Sequence, residues 1–206
     1  VLMPALYIPI ILMLLGLVFR GVAFEFRFKA NTSKKLWDQA FHFGSLIATF
    51  SQGVVLGGFV QGVAVDGRSF NGGALDWLTA FSVMTGLALV CGYALLGSTW
   101  LIMKTEDDTQ DWARKCAAYL LVFVAIFMGL VSLSMPFMNA DVKNLWFSWP
   151  NMLMLSPMPL LSAGMLVMLG RDIRTQREVR PFFLSQGLFL MNYIGLGISM
   201  WPWLVP

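Results

Sequence analysis

Long apolar runs separated by short polar segments dominate this sequence. Six runs reach the roughly 20 residues that a helix needs to cross the hydrocarbon core of a bilayer, where every backbone polar group must be bonded within the segment. The pattern predicts an all-α fold, a polytopic transmembrane helix bundle that forms a single domain over residues 1–206. The predicted spans cover residues 1–19, 38–63, 75–103, 113–136, 150–169 and 181–204.

The composition agrees with a chain that lies in a membrane. Of the 206 residues, 58% are hydrophobic and 12% are charged, whereas a soluble domain carries about a quarter of charged residues. The mean hydropathy is +0.72. Such a chain has too little charge to cover a water-facing surface, and no segment between the runs is long enough to hold a soluble domain.

The distribution of basic residues predicts the orientation. Residues 20–37, 104–115 and 170–180 fall on one side of the predicted topology and contain 12 of the 14 lysines and arginines. The other side has only Arg68 and Lys143. Because basic residues accumulate on the cytoplasmic side, we expect these three segments to be cytoplasmic loops.

Prolines and glycines predict local features of two spans. Pro157 and Pro159 lie inside the fifth span, where they should kink the helix. The second span contains glycines at the spacing that lets membrane helices pack closely. These are Gly53, Gly57, Gly58 and Gly62.

A group of charged residues follows the first span. Arg20 ends the apolar run, and Glu25 and Arg27 follow it among aromatic residues. Ionisable groups near membrane depth are costly, so each needs a partner or a purpose. Glu25 could form a structural ion pair with the arginines, or the group could be a charged mouth that delivers protons or anchors an anion.

The second span carries a polar column on one helix face. Its members follow the spacing i, i+4, i+7, i+11 and i+14, and they are Asp38, His42, Ser45, Thr49 and Gln52. One interpretation is a hydrated face that conducts protons and is turned to the bundle interior. The other is hydrogen bonding between helices, with Asp38 as a helix N-cap.

Several kinds of site are excluded. The single histidine cannot form a bis-histidine haem site or a multi-histidine metal site within this chain. The sequence has no phosphate-binding loop and no dinucleotide-binding fingerprint. We therefore expect no metal and no cofactor bound by this chain alone, no nucleic-acid partner, and no catalysis by the isolated chain.

The segment RGVAFEFRFK (20–29) resembles a signature of subunit II of cytochrome bd-type quinol oxidases. The resemblance continues in LWDQAFHFGS (36–45), in MTGLALVCGYALLGSTWLIMKTE (84–106) and in GISMWPWLVP (197–206), and FEFR is similar to the cyanide-insensitive branch. Family members have a further span with a W-D-G-x-x-x-W segment before these motifs, and usually more helices after them. We therefore expect an internal fragment that is truncated at the N-terminus, and truncation at the C-terminus stays an open alternative.

The resemblance implies a subunit without haem that pairs with a haem-bearing subunit I in the bacterial cytoplasmic membrane. The complex would oxidise quinol, reduce dioxygen to water and take protons from the cytoplasm, and a quinone could bind. Arg20 and Glu25 match the family's charged pair, for which proton supply or placement of the partner is the expected role. Asp38 and His42 are candidates from helical spacing. The alternatives are a secondary transporter or channel, and a non-catalytic membrane scaffold.

Overall fold

The structure is a computed structural model that describes residues 2–62, 65–66, 69–138 and 140–200. Nearly all of these residues are helical, which confirms the predicted all-α fold. Six helical segments, with α6 and α7 taken together, have the length and hydropathy of membrane spans. The helices are α1 (Leu2–Lys29), α2 (Lys34–Gln61), α3 (Ala80–Lys104), α4 (Asp107–Met138), α5 (Ala140–Phe147), α6 (Asn151–Leu155), α7 (Pro157–Arg174) and α8 (Arg180–Met200).

A two-residue antiparallel ladder lies between α2 and α3. Its strands are β1 (Val65–Asp66) and β2 (Ser69–Phe70), and Val65 pairs with Phe70. Some predicted features lie outside the described residues. They are Arg68, residue 1 of the first predicted span, residue 63 of the second, residues 201–204 of the sixth and the WPWLVP part of the last motif.

The basic segments that the sequence predicted to be loops are partly helical. Helix α1 continues to Lys29 and α2 begins at Lys34, so only residues 30–33 of the predicted loop 20–37 lie outside a helix. Likewise, only residues 105–106 of the predicted loop 104–115 and residues 175–179 of the predicted loop 170–180 lie outside a helix. Low hydropathy shows where a helix leaves the hydrocarbon, but the backbone hydrogen bonds of the helix continue into the polar layer.

Helix α3 begins later than the predicted residue 75, because a capping box fixes its start. The Thr79 hydroxyl accepts the backbone N–H of Ser82 at 3.1 Å, and the Ser82 hydroxyl accepts the N–H of Thr79 at 3.0 Å. This reciprocal pair satisfies two backbone donors at the helix start.

The predicted kink in the fifth span is a break between two helices instead. Helix α6 ends at Leu155, and α7 begins at Pro157 after a single intervening residue.

The chain divides into two compact units, Val1–Val90 and Cys91–Pro206. The single transmembrane domain over residues 1–206 stays a prediction.

In the first unit, α1 and α2 form an antiparallel hairpin, and the two helices cross where two glycines meet. A Cβ added to Gly16 would lie 2.7 Å from the carbonyl oxygen of Gly44, and one added to Gly44 would lie 2.8 Å from that of Gly16. Glycine at both positions therefore allows backbone-to-backbone contact.

Helix α2 also packs closely on the first turns of α3. A Cβ added to Gly53 would lie 2.7 Å from the backbone of Gly86, and one on Gly57 would overlap the Thr85 hydroxyl. That hydroxyl donates to the carbonyl oxygen of Gly53 at 2.9 Å. The predicted packing role of Gly53 and Gly57 is confirmed. Gly62 has a different role, because it ends α2 with a φ of 79°.

The second unit has its own core, formed by the later part of α3 with α4, α7 and α8. The hydroxyl groups of Thr99 and Ser185 lie 3.0 Å apart within this core. Trp146 donates from its indole nitrogen to the Ser199 hydroxyl at 2.8 Å. The buried apolar residues of the core are Leu95, Ile102, Ala113, Ala117, Val124, Leu169, Ile173 and Leu188.

Candidate functional site

The structure brings most of the sequence-predicted site residues to one end of the α1–α2 hairpin. We call this the hairpin end and define it as residues 20–38, the last part of α1, the connection and the first turn of α2. Arg20, Glu25 and Arg27 lie in α1, and Asp38 lies in α2. His42 follows Asp38 one turn further along α2.

Asp38 forms an ion pair with Arg27 across the hairpin. Both side chains are about half exposed, at 50% and 48%. The rings of Phe26 and Trp37 lie 5.0 Å apart beside this pair and join the same two helices. The predicted interhelical interaction of Asp38 is therefore present. Its alternative as an N-cap is wrong, because α2 begins four residues earlier at Lys34.

Arg20 is held by an aromatic ring. Its guanidinium carbon lies 5.6 Å from the centre of the Phe41 ring, within the range of a cation–π interaction. The close crossing of Gly16 and Gly44 lies one helical turn away and sets the distance between the two helices there. The position of Arg20 thus depends on the hairpin crossing.

Glu25 differs from Asp38 in its surroundings. It is exposed on α1, and among the described residues it takes part in no ion pair. The arginine that the sequence offered as its neighbour, Arg27, is bound to Asp38 instead. The hairpin end therefore combines one carboxylate in an ion pair with one that is exposed and forms no ion pair among the described residues.

The polar column of α2 lies beside the packed faces of the helix. The face towards α1 carries Gly44 and Ala48, and the face towards α3 carries Gly53 and Gly57. Asp38 and His42 are exposed, whereas Ser45 and Thr49 are half-buried. The Ser45 hydroxyl oxygen is inaccessible and has no hydrogen-bond partner among the described residues. His42 contacts the Phe43 ring edge to face, at 5.4 Å between ring centres.

The second unit contains a buried polar group that the sequence did not predict. Arg114 of α4 is only 8% exposed and donates to the backbone carbonyls of Gln176 and Arg177, both at 3.1 Å. Nearby, the buried carboxylate of Asp172 faces Arg177 at 3.5 Å and Arg180 at 3.3 Å. In the sequence Arg114 looked like one of the exposed loop cations, because carbonyl partners more than 60 residues away leave no local signal.

The turn that Arg114 contacts ends α7 with a Schellman motif. The Arg177 N–H donates to the Asp172 carbonyl at 3.0 Å, and the Gln176 N–H donates to the Ile173 carbonyl at 3.4 Å. Gln176 occupies the left-handed position of this motif with a φ of 57°. Glycine is the usual residue there, so the turn is strained at Gln176 and stabilised by Arg114.

No cluster of three or more histidine, cysteine, aspartate or glutamate side chains with the geometry of a metal site occurs in the described part of the chain. The ion pairs and buried cation of this part join side chains to one another, as Arg27 joins Asp38, or to backbone carbonyls at a helix end, as with Arg114. The class defined by the fold and these sites is thus a multi-pass helical membrane protein with its ionisable groups at the ends of its helices.

The family follows from comparison with known proteins. The model of the family described as cytochrome bd terminal oxidase subunit II matches residues 1–206, and the chain belongs to this family. This confirms the resemblance seen at residues 20–29 and in the other motifs.

Three curated relatives give the range of similarity. The chain is 35% identical over 125 residues to cytochrome bd ubiquinol oxidase subunit 2 of Bacillus subtilis, covering 58% of this chain and 37% of the relative. It is 25% identical over 230 residues to a probable cytochrome oxidase subunit 2 of Haemophilus influenzae, covering 97% and 61%. It is 28% identical over 131 residues to cytochrome bd-I ubiquinol oxidase subunit 2 of Escherichia coli K12, covering 58% and 35%. The chain thus spans less than two thirds of the length of these relatives.

Proposed function

We propose that this chain acts as the haem-free subunit II of a cytochrome bd-type quinol oxidase in the bacterial cytoplasmic membrane. It pairs with a haem-bearing subunit I, and the complex oxidises quinol and reduces dioxygen to water. Membership of the family and the six membrane-spanning segments support this proposal. The single histidine of the chain agrees with this proposal, because these 206 residues alone cannot supply a pair of histidine ligands to a haem.

The proposed contribution of this chain is proton supply from the cytoplasmic side. The observation that carries it is the exposed carboxylate of Glu25, which has no ion-pair partner among the described residues although it lies in the most basic part of the chain. A carboxylate in contact with water can bind and release protons without first breaking an ion pair.

The other candidates take supporting roles in this proposal. Asp38 is held by Arg27 and connects the two helices, so it positions the hairpin end. Arg20 is placed by Phe41 and belongs to the same basic segment as Glu25. His42 continues the polar surface along α2, towards the half-buried Ser45 and Thr49. Quinol remains a substrate of the complex, and we assign no residue of this chain to it.

Replacement of Glu25 by glutamine tests the proposal in the intact complex. Glutamine keeps the size of the side chain but cannot carry a proton, and proton transfer by a positioned side chain typically contributes a hundredfold or more, so we expect oxygen consumption to fall roughly tenfold at least. The haem absorption spectrum should be unchanged, because Glu25 is not a haem ligand in this proposal.

The matched control is Glu178→Gln, which removes an equally exposed carboxylate from the turn between α7 and α8. This variant should keep the turnover of the wild type. Equal turnover in the Glu25→Gln complex and the wild type would show that Glu25 supplies no protons.

A further inference from the structure

The hairpin end carries the whole excess of positive charge in this chain. Residues 20–38 contain five basic and two acidic side chains, a formal charge of +3, and the entire chain also has a formal charge of +3. The other two basic segments are closer to balance. Residues 104–115 have three basic against four acidic side chains, and residues 170–180 have four against two.

Three lysines account for this excess. Arg27 is neutralised by Asp38, and Arg20 lies over the Phe41 ring. Lys29, Lys34 and Lys35, which we call the hairpin lysines, are exposed and form no ion pair with any residue that the structure describes. They lie within seven residues of sequence, on either side of the connection between α1 and α2.

The fold itself does not explain two of these charges. Lys29 lies in the last turn of α1, where the helix dipole favours a cation, but Lys34 and Lys35 are the first two residues of α2, where it disfavours one. Neither Lys34 nor Lys35 is buried or forms an ion pair among the described residues, so these two lysines add repulsion without a compensating contact there. An anion from outside the described chain would remove this repulsion.

Helix lengths place the hairpin lysines at the depth of lipid headgroups. The apolar run of α1 ends at Arg20, where we expect the helix to leave the hydrocarbon core. Lys29 lies roughly 13 Å further along the helix at about 1.5 Å per residue, and roughly 10 Å separates Lys34 from Phe41 on α2. The exposed rings of Phe24 and Phe28, 5.4 Å apart, precede Lys29 and fit the interface between hydrocarbon and headgroups.

We propose that the hairpin lysines bind the phosphodiester headgroups of anionic phospholipids. An ammonium group binds phosphate as a point charge, and clustered lysines beside a membrane span attract anionic lipid. Binding compensates the repulsion among the three ammonium groups and fixes the depth of the α1–α2 hairpin in the bilayer. This surface is separate from the proton-supply role proposed for Glu25.

The test measures lipid selectivity in nanodiscs that contain the purified membrane complex of this chain. Spin-labelled phosphatidylglycerol and phosphatidylcholine report, by electron paramagnetic resonance, how strongly each lipid associates with the protein. Each lysine is expected to favour phosphatidylglycerol by about fivefold, so the variant with Lys29→Gln, Lys34→Gln and Lys35→Gln should lose roughly a hundredfold of the selectivity at these sites.

Two matched variants separate this site from general charge effects. Replacement of the same three lysines by arginine should keep the selectivity, because the charge remains. The variant with Lys104→Gln and Lys115→Gln removes exposed lysines from residues 104–115, where acidic side chains outnumber basic ones, and should reduce the selectivity much less than the triple variant does. An undiminished selectivity in the triple glutamine variant, or an equal loss in the Lys104/Lys115 variant, would overturn the proposal.

Measurements on the wild-type complex keep the proposal testable if the triple variant fails to assemble. Raising the salt concentration should weaken the association of phosphatidylglycerol and leave that of phosphatidylcholine unchanged. At equal ionic strength, inorganic phosphate should displace no more labelled lipid than chloride does. Three results would contradict lipid binding: association that does not depend on salt, stronger displacement by phosphate than by chloride at equal ionic strength, or no preference for phosphatidylglycerol because an acidic protein segment covers the lysines.

Discussion

At the scale of single residues, two carboxylates that look equivalent in the sequence are distinguished by their partners. Asp38 is paired with Arg27, whereas Glu25 is exposed and has no ion-pair partner in the described part of the chain. An ion pair between half-exposed side chains contributes about 0–1 kcal/mol to stability, so Asp38 adjusts the hairpin geometry more than it stabilises the fold. We therefore propose Glu25, and not Asp38, as the carboxylate to test for proton supply.

Gln176 offers a separate prediction at this scale. Its left-handed backbone favours glycine, so we expect Gln176→Gly to raise the free energy of unfolding by about 1 kcal/mol. The Arg114 contact is kept, because it uses the backbone carbonyl. Denaturant unfolding in detergent would measure the change.

Thr175→Gly is the control for Gln176→Gly, since Thr175 has an ordinary φ of −84° and gains nothing from glycine. We expect this variant to be less stable than the wild type. If both substitutions or neither raised the free energy of unfolding, backbone strain at Gln176 would not limit the stability of this turn.

At the scale of helices, the crossing of α1 and α2 controls the geometry of the hairpin end. Gly16→Ala places a methyl group 2.7 Å from the Gly44 carbonyl oxygen and 2.9 Å from the Ala48 nitrogen. Both neighbours are backbone atoms that cannot move alone, so the helices must separate. We expect the free energy of unfolding to fall by about 1–3 kcal/mol. Denaturant unfolding in detergent would measure this change.

The control for Gly16→Ala is Gly21→Ala on the same helix, where an added Cβ meets no atom within 4 Å. That variant should have the same free energy of unfolding as the wild type or a slightly higher one, because alanine favours the helix. If Gly16→Ala were as stable as Gly21→Ala, the two helices would not depend on the glycine contact.

The helices also show how far sequence reasoning reaches. Hydropathy located six spans, because the bilayer imposes length and apolarity on each of them. It ended α1 at residue 19, although the helix continues through its charged residues to Lys29. For the site, spacing along one helix placed Asp38 and His42 correctly on one face. It could not identify Arg27 as the partner of Asp38 or reveal the contacts of Arg114, because those contacts join different elements.

At the scale of the whole molecule, the charge distribution predicts the topology. Single cysteines at Asn31 and Thr175 should react with a membrane-impermeant thiol reagent from the cytoplasmic side, and cysteines at Asn71 and Ser148 from the outside. Cys91 and Cys116 are first replaced by alanine. Labelling of Asn31 and Asn71 from the same side would contradict the six-span topology.

We propose that this chain functions as a subunit of a quinol oxidase, and purification through an affinity tag on the chain tests this function. The tagged protein should copurify with a larger haem-containing membrane subunit, and the purified complex should show a reduced haem spectrum and consume oxygen when quinol is added. Purification of the intact chain from its native membrane without haem and without quinol-dependent oxygen consumption would contradict this function.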